Sequence, residues 1–341
     1  MNESQIDKER ERIMRKARIG IVGTGLIGEV HIQAFQKHPL CELVAVCDMN
    51  VSRLQEMKMK YAIPEVYTNQ AEMHEKCPLD GVIIATPDQF HREPTLLAAA
   101  AGVDILLEKP IATTIEDAEA IIQAVTAANV KLMLGMTLRY IPEYAHVQQQ
   151  FLTGALGLPI NAYSRRAVRK SEGYRINGRC SVNEYLGVHD FDFLLSIFGR
   201  EVDSVYATRG NFEIFDKLGV ADYYWNIIKW KNGATAALQV TWNEPEGNKN
   251  LLEMECYVNG TNGSAHVILG GQQLNVATDT DCDYPELTLD NGYHIEADHF
   301  IKCILSDEQP YAGGQAGLDT LKIMIALEQS SKEGLPVQVN L

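Results

Sequence analysis

The sequence predicts a chain in two parts. The first is an α/β domain on a doubly wound parallel sheet; the second is an α+β domain with a large, mostly antiparallel open sheet. Three observations predict this. The apolar run Ile19–Val22 ends in three glycines spaced G-x-G-x-x-G, at Gly23, Gly25 and Gly28, and a helical pattern follows. From Arg18 to about Tyr140, short apolar runs alternate with helical ones, which marks parallel strands covered on both faces. Beyond Tyr140 the apolar period shortens to two.

The first part reads in order as follows. Strands are expected at Arg18–Val22, Glu42–Cys47, Gly81–Ala85, Asp104–Leu107 and Lys131–Leu134. Helices are expected near Leu26–Lys37, Val51–Tyr61, Phe90–Ala101 and Ile115–Ala128. Each glycine of the first turn has a task. Gly23 lets the chain turn, Gly25 lets backbone approach a pyrophosphate, and Gly28 lets the helix pack close to the strand. Leu26, Ile27 and Gly28 open the helix, where free N–H groups and the positive end of the dipole favour phosphate. The second strand ends at Asp48, about twenty residues past Gly28, where a carboxylate takes the adenosine ribose hydroxyls. This is a Rossmann-type dinucleotide site. Asp48 would repel a 2′-phosphate, and Met49 and Asn50 bring no cation to it, so NAD is favoured over NADP. Arg53 is the one cation nearby and reads as a solvated helix residue.

Composition narrows the rest. A chain of 341 residues suffices for two domains, and its 46% hydrophobic and 22% charged content are those of a globular protein. A net charge of −15 argues against a nucleic-acid or anionic-membrane partner. The seven cysteines lack any C-x-x-C pair, which suits a reducing cytoplasm and argues against a structural metal. His294 and His299, with Glu296 and Asp298, do not share a helix face, so no metal site is expected there. Residues 1–17 are dense in both charge signs and read as an extension with a short exposed helix, Glu11 and Arg15 standing at i, i+4.

Pro142 marks the crossing at Arg139–Tyr144, dividing residues 18–140 from residues 141–341. A helix is expected at Glu143–Thr153. Strands are expected at Ile160–Val168, Val202–Arg209, Tyr223–Trp230, Thr235–Trp242, Leu251–Val258, Ser264–Leu269 and Glu286–Leu289. One helix, about Val182–Phe198, interrupts them, and Ala297–Leu305 and Ala316–Ser331 close the chain. One face of so open a sheet can lie on helices. The other carries Tyr, Trp, Val and Ile and is expected to join subunits of a homo-oligomer, a dimer or tetramer.

Two elements can carry chemistry. Leu106–Pro110 ends a strand on Glu108-Lys109-Pro110, at the carboxyl edge where such sheets bind ligands. Lys109 could hydrogen-bond a substrate hydroxyl and stabilise an alkoxide, and Pro110 could fix a cis bond that aims it. Tyr185 and His189, at i, i+4 on the second-domain helix, share a face, with Asp192 near it. His189 can take a hydroxyl proton near neutral pH, and Asp192 either orients the ring or is solvated. Upstream, Arg165, Arg166, Arg169, Tyr174 and Arg175 read as a charged loop or as a rim that recognises substrate hydroxyls or an acidic group. Arg139 reads as facing a cleft or as a structural ion pair.

In order along the chain, the glycine turn, Thr86-Pro87-Asp88-Gln89-Phe90-His91, Glu108-Lys109-Pro110 and Gly187-Val188-His189-Asp190-Phe191-Asp192 resemble the Gfo/Idh/MocA oxidoreductases. Ser330, Gly334 and Val337 resemble that family's ending. The resemblance implies Lys109 and His189 as catalytic residues, and Thr86, Pro87 and His91 as a loop bordering the cofactor. It places Glu108 near the nicotinamide. It also implies an NAD(P)-dependent dehydrogenase acting on a secondary CH–OH group of a sugar or inositol. Tyr185, His189, Lys109, Arg166 and Tyr174 are then the substrate contacts. In many members an aspartate stands four residues before the histidine; here Tyr185 does. Glu184, about 140° round a regular helix, does not replace it. Two other functions fit the same residues: a non-catalytic NAD-binding sensor, and a reductase of an imine or unsaturated bond.

Overall fold

The computed structural model describes residues 15–248, 252–269, 273–278, 282–283, 285 and 291–341. The chain forms two compact units. One holds residues 1–140 and 290–318, the other residues 141–289 and 319–341. The expected strand Glu286–Leu289, and the extension up to residue 14, lie outside the described residues.

In the first unit, strands β1 (Ala17–Val22), β2 (Cys41–Cys47), β3 (Glu65–Tyr67), β4 (Gly81–Ile84), β5 (Asp104–Leu107) and β6 (Leu132–Leu134) form one sheet, ordered β3-β2-β1-β4-β5-β6. All its pairs are parallel. This is the doubly wound order that places ligands at the carboxyl ends of β1 and β4. Past their first residues the inner strands are apolar, Val82, Ile83 and Ile84 being fully buried, because helices cover both faces. β3 and the helix Gln70–Lys76 were not expected from the sequence. Three residues at a sheet edge carry too little pattern, but Asn69 does signal the helix. Its side chain accepts the Glu72 N–H at 3.0 Å, as an N-cap does.

One expectation is corrected. The second domain does not run unbroken from 141 to 341. The helix Tyr293–Leu305 packs Ala297, Phe300, Ile301 and Leu305 into the core of the first unit, with Ile19, Ile21, Ile32 and Phe35. These four residues make one apolar stripe on that helix, and the parallel sheet's own helix Leu26–Gln36 supplies the surface that buries it.

In the second unit, β7 (Pro159–Arg169), β8 (Val202–Gly210), β9 (Tyr223–Trp230), β10 (Thr235–Glu244), β11 (Leu252–Gly260), β12 (Gly263–Leu269), β13 (Gln273–Thr278), β14 (Cys282–Asp283) and β15 (Val337–Gln338) form one sheet. Its order is β14-β13-β12-β11-β7-β10-β9-β8-β15. Only β7 and β10 pair parallel. Alternation sets its two faces. Tyr224, Ile228, Trp230, Val240 and Trp242 are buried on one side. On the other, Tyr206, Ile227, Ala237, Tyr163, Tyr257 and His266 stand in register across six strands. The helix Val188–Phe198 buries Phe191, Phe193 and Leu194. No helix among the described residues is long and apolar enough to cross a membrane.

Candidate active-site residues

The glycine turn is shaped as its spacing requires. Gly23 has φ +91°, and a Cβ there would stand 2.6 Å from the Ala85 carbonyl oxygen. A Cβ on Gly28 would stand 2.0 Å from the Gly23 carbonyl oxygen, so helix and strand meet only without side chains. Gly25 differs: nothing lies within 4 Å of its missing Cβ. The first helical bond runs from the Glu29 N–H to Gly25 at 3.0 Å, which leaves the N–H groups of Leu26, Ile27 and Gly28 without helical acceptors. An open glycine beneath unclaimed N–H groups fits a pyrophosphate. Asp48 stands at the end of β2 and organises the turn. Its Oδ2 accepts the Thr24 N–H at 2.7 Å and the Thr24 hydroxyl at 2.9 Å, and its Oδ1 accepts the Asn50 N–H at 2.8 Å.

Glu108 and Lys109 follow β5. Glu108 is buried, and its Oε1 lies 2.8 Å from Nε2 of buried His31, on the helix that opens at the glycine turn. Its Oε2 accepts the Lys109 N–H at 3.1 Å. Burial works to raise this carboxyl, but the His31 bond and the nearby Lys109 ammonium hold it below the ordinary range. Glu108 thus ties the glycine-turn helix to the backbone of Lys109, whose side chain is half-buried. The Lys109–Pro110 bond is cis. His91 is buried as well. Its Nδ1 lies 2.8 Å from the Pro110 carbonyl oxygen and its Nε2 3.0 Å from that of Thr86. Buried His91 thus lies between the Thr86–Pro87 loop and the Lys109–Pro110 turn, and in the neutral form that burial favours its single N–H donates to one of these two carbonyls.

Glu296, weighed from the sequence only as a metal ligand, belongs to the same unit. It is fully buried, and neither carboxylate oxygen has a hydrogen-bond partner. Burial, and then the charge on Glu108, push its carboxyl well above the ordinary value of 4.5. A carboxyl raised in this way favours the fold below the ordinary value, and that contribution is lost as pH rises. Glu296→Gln is therefore expected to raise the melting temperature at pH 8 but not at pH 4. Thermal melts at both pH values check this, and an equal offset at the two would contradict it.

In the second unit, the residues expected on one loop lie on two elements: Arg165, Arg166 and Arg169 divide between the faces of β7, and Tyr174 and Arg175 stand on the helix Lys170–Ile176. Arg165 points to the outer face, bonded to Glu244 at 2.6 Å and Glu253 at 2.5 Å. Arg166 is corrected: it lies inside rather than on a rim. Its Nε donates to Asp190 Oδ2 at 2.6 Å, and both side chains are almost fully buried. Strand alternation explains this, since Ser164, two residues earlier, donates its hydroxyl to the other Asp190 oxygen at 2.7 Å. Asp190 thus clamps the helix to the sheet directly beside His189, which is half-buried, while Asp192 is buried rather than solvated.

The expected regular helix is also corrected. Asn183–Gly187 is a π-helical turn that runs into the α-helix from Val188. Asn183 exchanges reciprocal bonds of 3.0 and 2.8 Å with Asn226 on β9, while Asp190 is fixed to β7. Both ends are pinned to the sheet, and the turn takes up the extra residue. Pitch of i→i+5 brings Glu184 nearer the His189 side than a regular helix would. Glu184 is already committed, though. It accepts the Ser181 N–H at 2.6 Å while its own N–H meets the Ser181 hydroxyl at 3.2 Å, and the spacing S-x-x-E already signalled this capping box. Tyr185 accepts from Arg175 at 2.7 Å and donates to Glu172 at 3.1 Å. Burial pushes its phenol up to about 12, so near neutral pH it donates and does not act as a base. Tyr174 donates to Glu213 at 2.6 Å and accepts from Lys217 at 2.8 Å. Arg139 donates to the Tyr311 carbonyl at 2.6 Å.

Comparison with known proteins gives these residues their setting. Residues 17–136 match the model of the oxidoreductase family's NAD-binding Rossmann fold. Residues 183–339 match its C-terminal alpha/beta domain. The myo-inositol 2-dehydrogenase of Thermotoga maritima is 26% identical, covering 94% of this chain and 98% of its own. A D-apiose dehydrogenase of Paraburkholderia graminis is 24% identical, covering 98% and 93%. The crystal structure of a scyllo-inositol dehydrogenase from Lactobacillus casei with bound NAD(H) and scyllo-inositol superposes with a TM-score of 0.83. It is 22% identical, over 95% of this chain and 99% of that one. Family models matched over residues 17–136 and 183–339 and a glycine turn shaped for pyrophosphate lead to one conclusion: the chain is an oxidoreductase with an NAD-binding Rossmann domain and belongs to the Gfo/Idh/MocA family.

Proposed function

We propose that the protein oxidises a secondary alcohol of a cyclic polyol or sugar, using NAD in preference to NADP. The observation that carries this reading is Lys109, a half-buried ammonium at the carboxyl end of β5, whose backbone is held by buried Glu108. Gly23, Gly25, Gly28 and the N–H groups of Leu26 and Ile27 would hold the pyrophosphate, and Asp48 the adenosine ribose. Thr86, Pro87, His91, Glu108 and Lys109 complete the cofactor side. Bound NAD supplies the hydride acceptor. Lys109 donates a hydrogen bond to the substrate oxygen and stabilises the negative charge that develops there. His189 takes the hydroxyl proton. Tyr185 is kept protonated and belongs to the substrate side, where a substrate hydroxyl would take the place of Glu172 as the acceptor of its proton. Tyr174 belongs to the same substrate side, whereas Arg166 serves it through Asp190, by holding the helix that carries His189. The named activities of the similar dehydrogenases on inositols and on apiose support this substrate class.

The test is NADH formation at 340 nm with inositols, aldoses and sugar acids side by side. Turnover of a cyclic polyol or sugar with NAD, and at least about tenfold less with NADP, is the expected result. Bound NAD with no turnover of any polyol, sugar or diol would remove the reading. The outer row of Tyr206, Tyr163 and Tyr257 supports self-association through that face. A monomer mass by light scattering would exclude it.

A further inference from the structure

Glu29 is the only acidic residue in the first turn of the glycine-turn helix, and it is heavily used. Its carboxylate accepts from Arg53 Nη2 at 2.5 Å, from Lys60 Nζ at 2.6 Å and from the Tyr61 hydroxyl at 2.8 Å. Arg53 is held further. Its Nε donates to the Thr24 carbonyl at 2.8 Å, and its Nη1 lies 2.7 Å from Glu56. Thr24 is also the residue whose N–H and hydroxyl bind Asp48. The Arg53 guanidinium therefore stands one residue away from the carboxylate that marks the adenosine ribose. An arginine in that neighbourhood is the group that accommodates a 2′-phosphate. Here its charge is met by two carboxylates, of which Glu29 is the less exposed, at 16% against 55% for Glu56. The exposed Glu56 pair is screened by solvent and weak; the Glu29 bond, with the Nε bond to the Thr24 carbonyl, fixes where the guanidinium rests.

From this we infer that Glu29 is a cofactor-selectivity residue: it withholds Arg53 from the adenosine 2′ position and so completes the exclusion of NADP that Asp48 begins. The inference rests on the cofactor reading above and deepens it. Replacing Asp48 alone removes a repulsion but supplies no cation, because Arg53 stays on Glu29. Replacing Glu29 alone leaves Asp48 as a second carboxylate for the freed guanidinium. Only the two together present a cation to a 2′-phosphate.

Calorimetric titration with 5′-ADP and with 2′,5′-ADP tests this without needing a substrate. Wild type is expected to bind 5′-ADP and to discriminate against 2′,5′-ADP. Asp48→Ser with Glu29→Ala is expected to bind 2′,5′-ADP about 10- to 100-fold more tightly than Asp48→Ser alone, the range of a charge-assisted hydrogen bond. That gain should shrink in high salt and vanish when Arg53→Gln is added. Asp48→Ser with Glu29→Gln, which keeps the side chain's shape, should show part of the same gain, and melting curves confirm that each variant is folded. Equal binding of 2′,5′-ADP by the single and double variants, or a gain that survives Arg53→Gln, overturns the inference alone. Failure of wild type to bind 5′-ADP or NADH overturns the cofactor reading and this inference together.

Discussion

Lys109→Ala lowers kcat by about 10²–10³ with the best alcohol of the panel, while the dissociation constant for NADH moves less than about threefold. The magnitude is that of removing one donor aimed at a developing oxyanion. The split follows from position. Lys109 stands at the strand end, whereas the glycine turn and Asp48 belong to β1, β2 and the helix between them. Glu108 keeps its bond to His31, so the strand end stays in place when the ammonium is lost. Because the interaction grows with charge on the oxygen, kcat and kcat/KM should fall together. Lys109→Arg should not restore activity, since a planar guanidinium cannot take the place of a compact ammonium. Initial rates and NADH fluorescence titrations decide it. A fully active Lys109→Ala removes the lysine from the mechanism.

Arg166→Ala destabilises the protein by about 3–5 kcal/mol, the usual consequence of stranding one partner of a buried ion pair. Asp190 then keeps only the Ser164 hydroxyl at 2.7 Å and has no solvent to compensate. The loss goes beyond stability, because the carboxylate left alone is the one that fixes His189's helix to β7. Arg166→Met together with Asp190→Asn should recover much of the loss, as apolar or neutral replacement of both partners commonly does. Chemical denaturation of the two variants beside wild type measures this. A midpoint for Arg166→Ala equal to that of wild type would mean that the pair contributes nothing net.

Much of this architecture could be read in the sequence, for physical reasons. The inner parallel strands are buried on both faces toward their carboxyl ends, so charged residues stand only near their starts, and β5 runs over the expected boundaries. β9 was also found residue for residue, because alternation between a buried and an open face writes itself into the chain. What escaped has equally definite causes. β3, β14 and β15 are too short to show a period. Arg166 looked like a surface charge because a strand's period assigns a side but not a partner, and Asp190 lies 24 residues away. The π-helical turn is invisible to helical periodicity, since it arises from Asn226 on another strand. Glu296 was considered only as a metal ligand; its isolation comes from the fold of a helix onto a unit formed mostly by residues far earlier in the chain.

That last helix bears on how the molecule is made. Tyr293–Leu305 completes the core of the first unit, yet a ribosome delivers it only after residues 141–289 of the second unit have been made. At roughly 5–20 residues per second, the nucleotide-binding half waits on the order of ten seconds or more with the surface around Phe35 and Ile32 bare. During that interval the nascent chain offers chaperones a greasy sheet-and-helix face, and a message truncated before residue 293 leaves that face open for good.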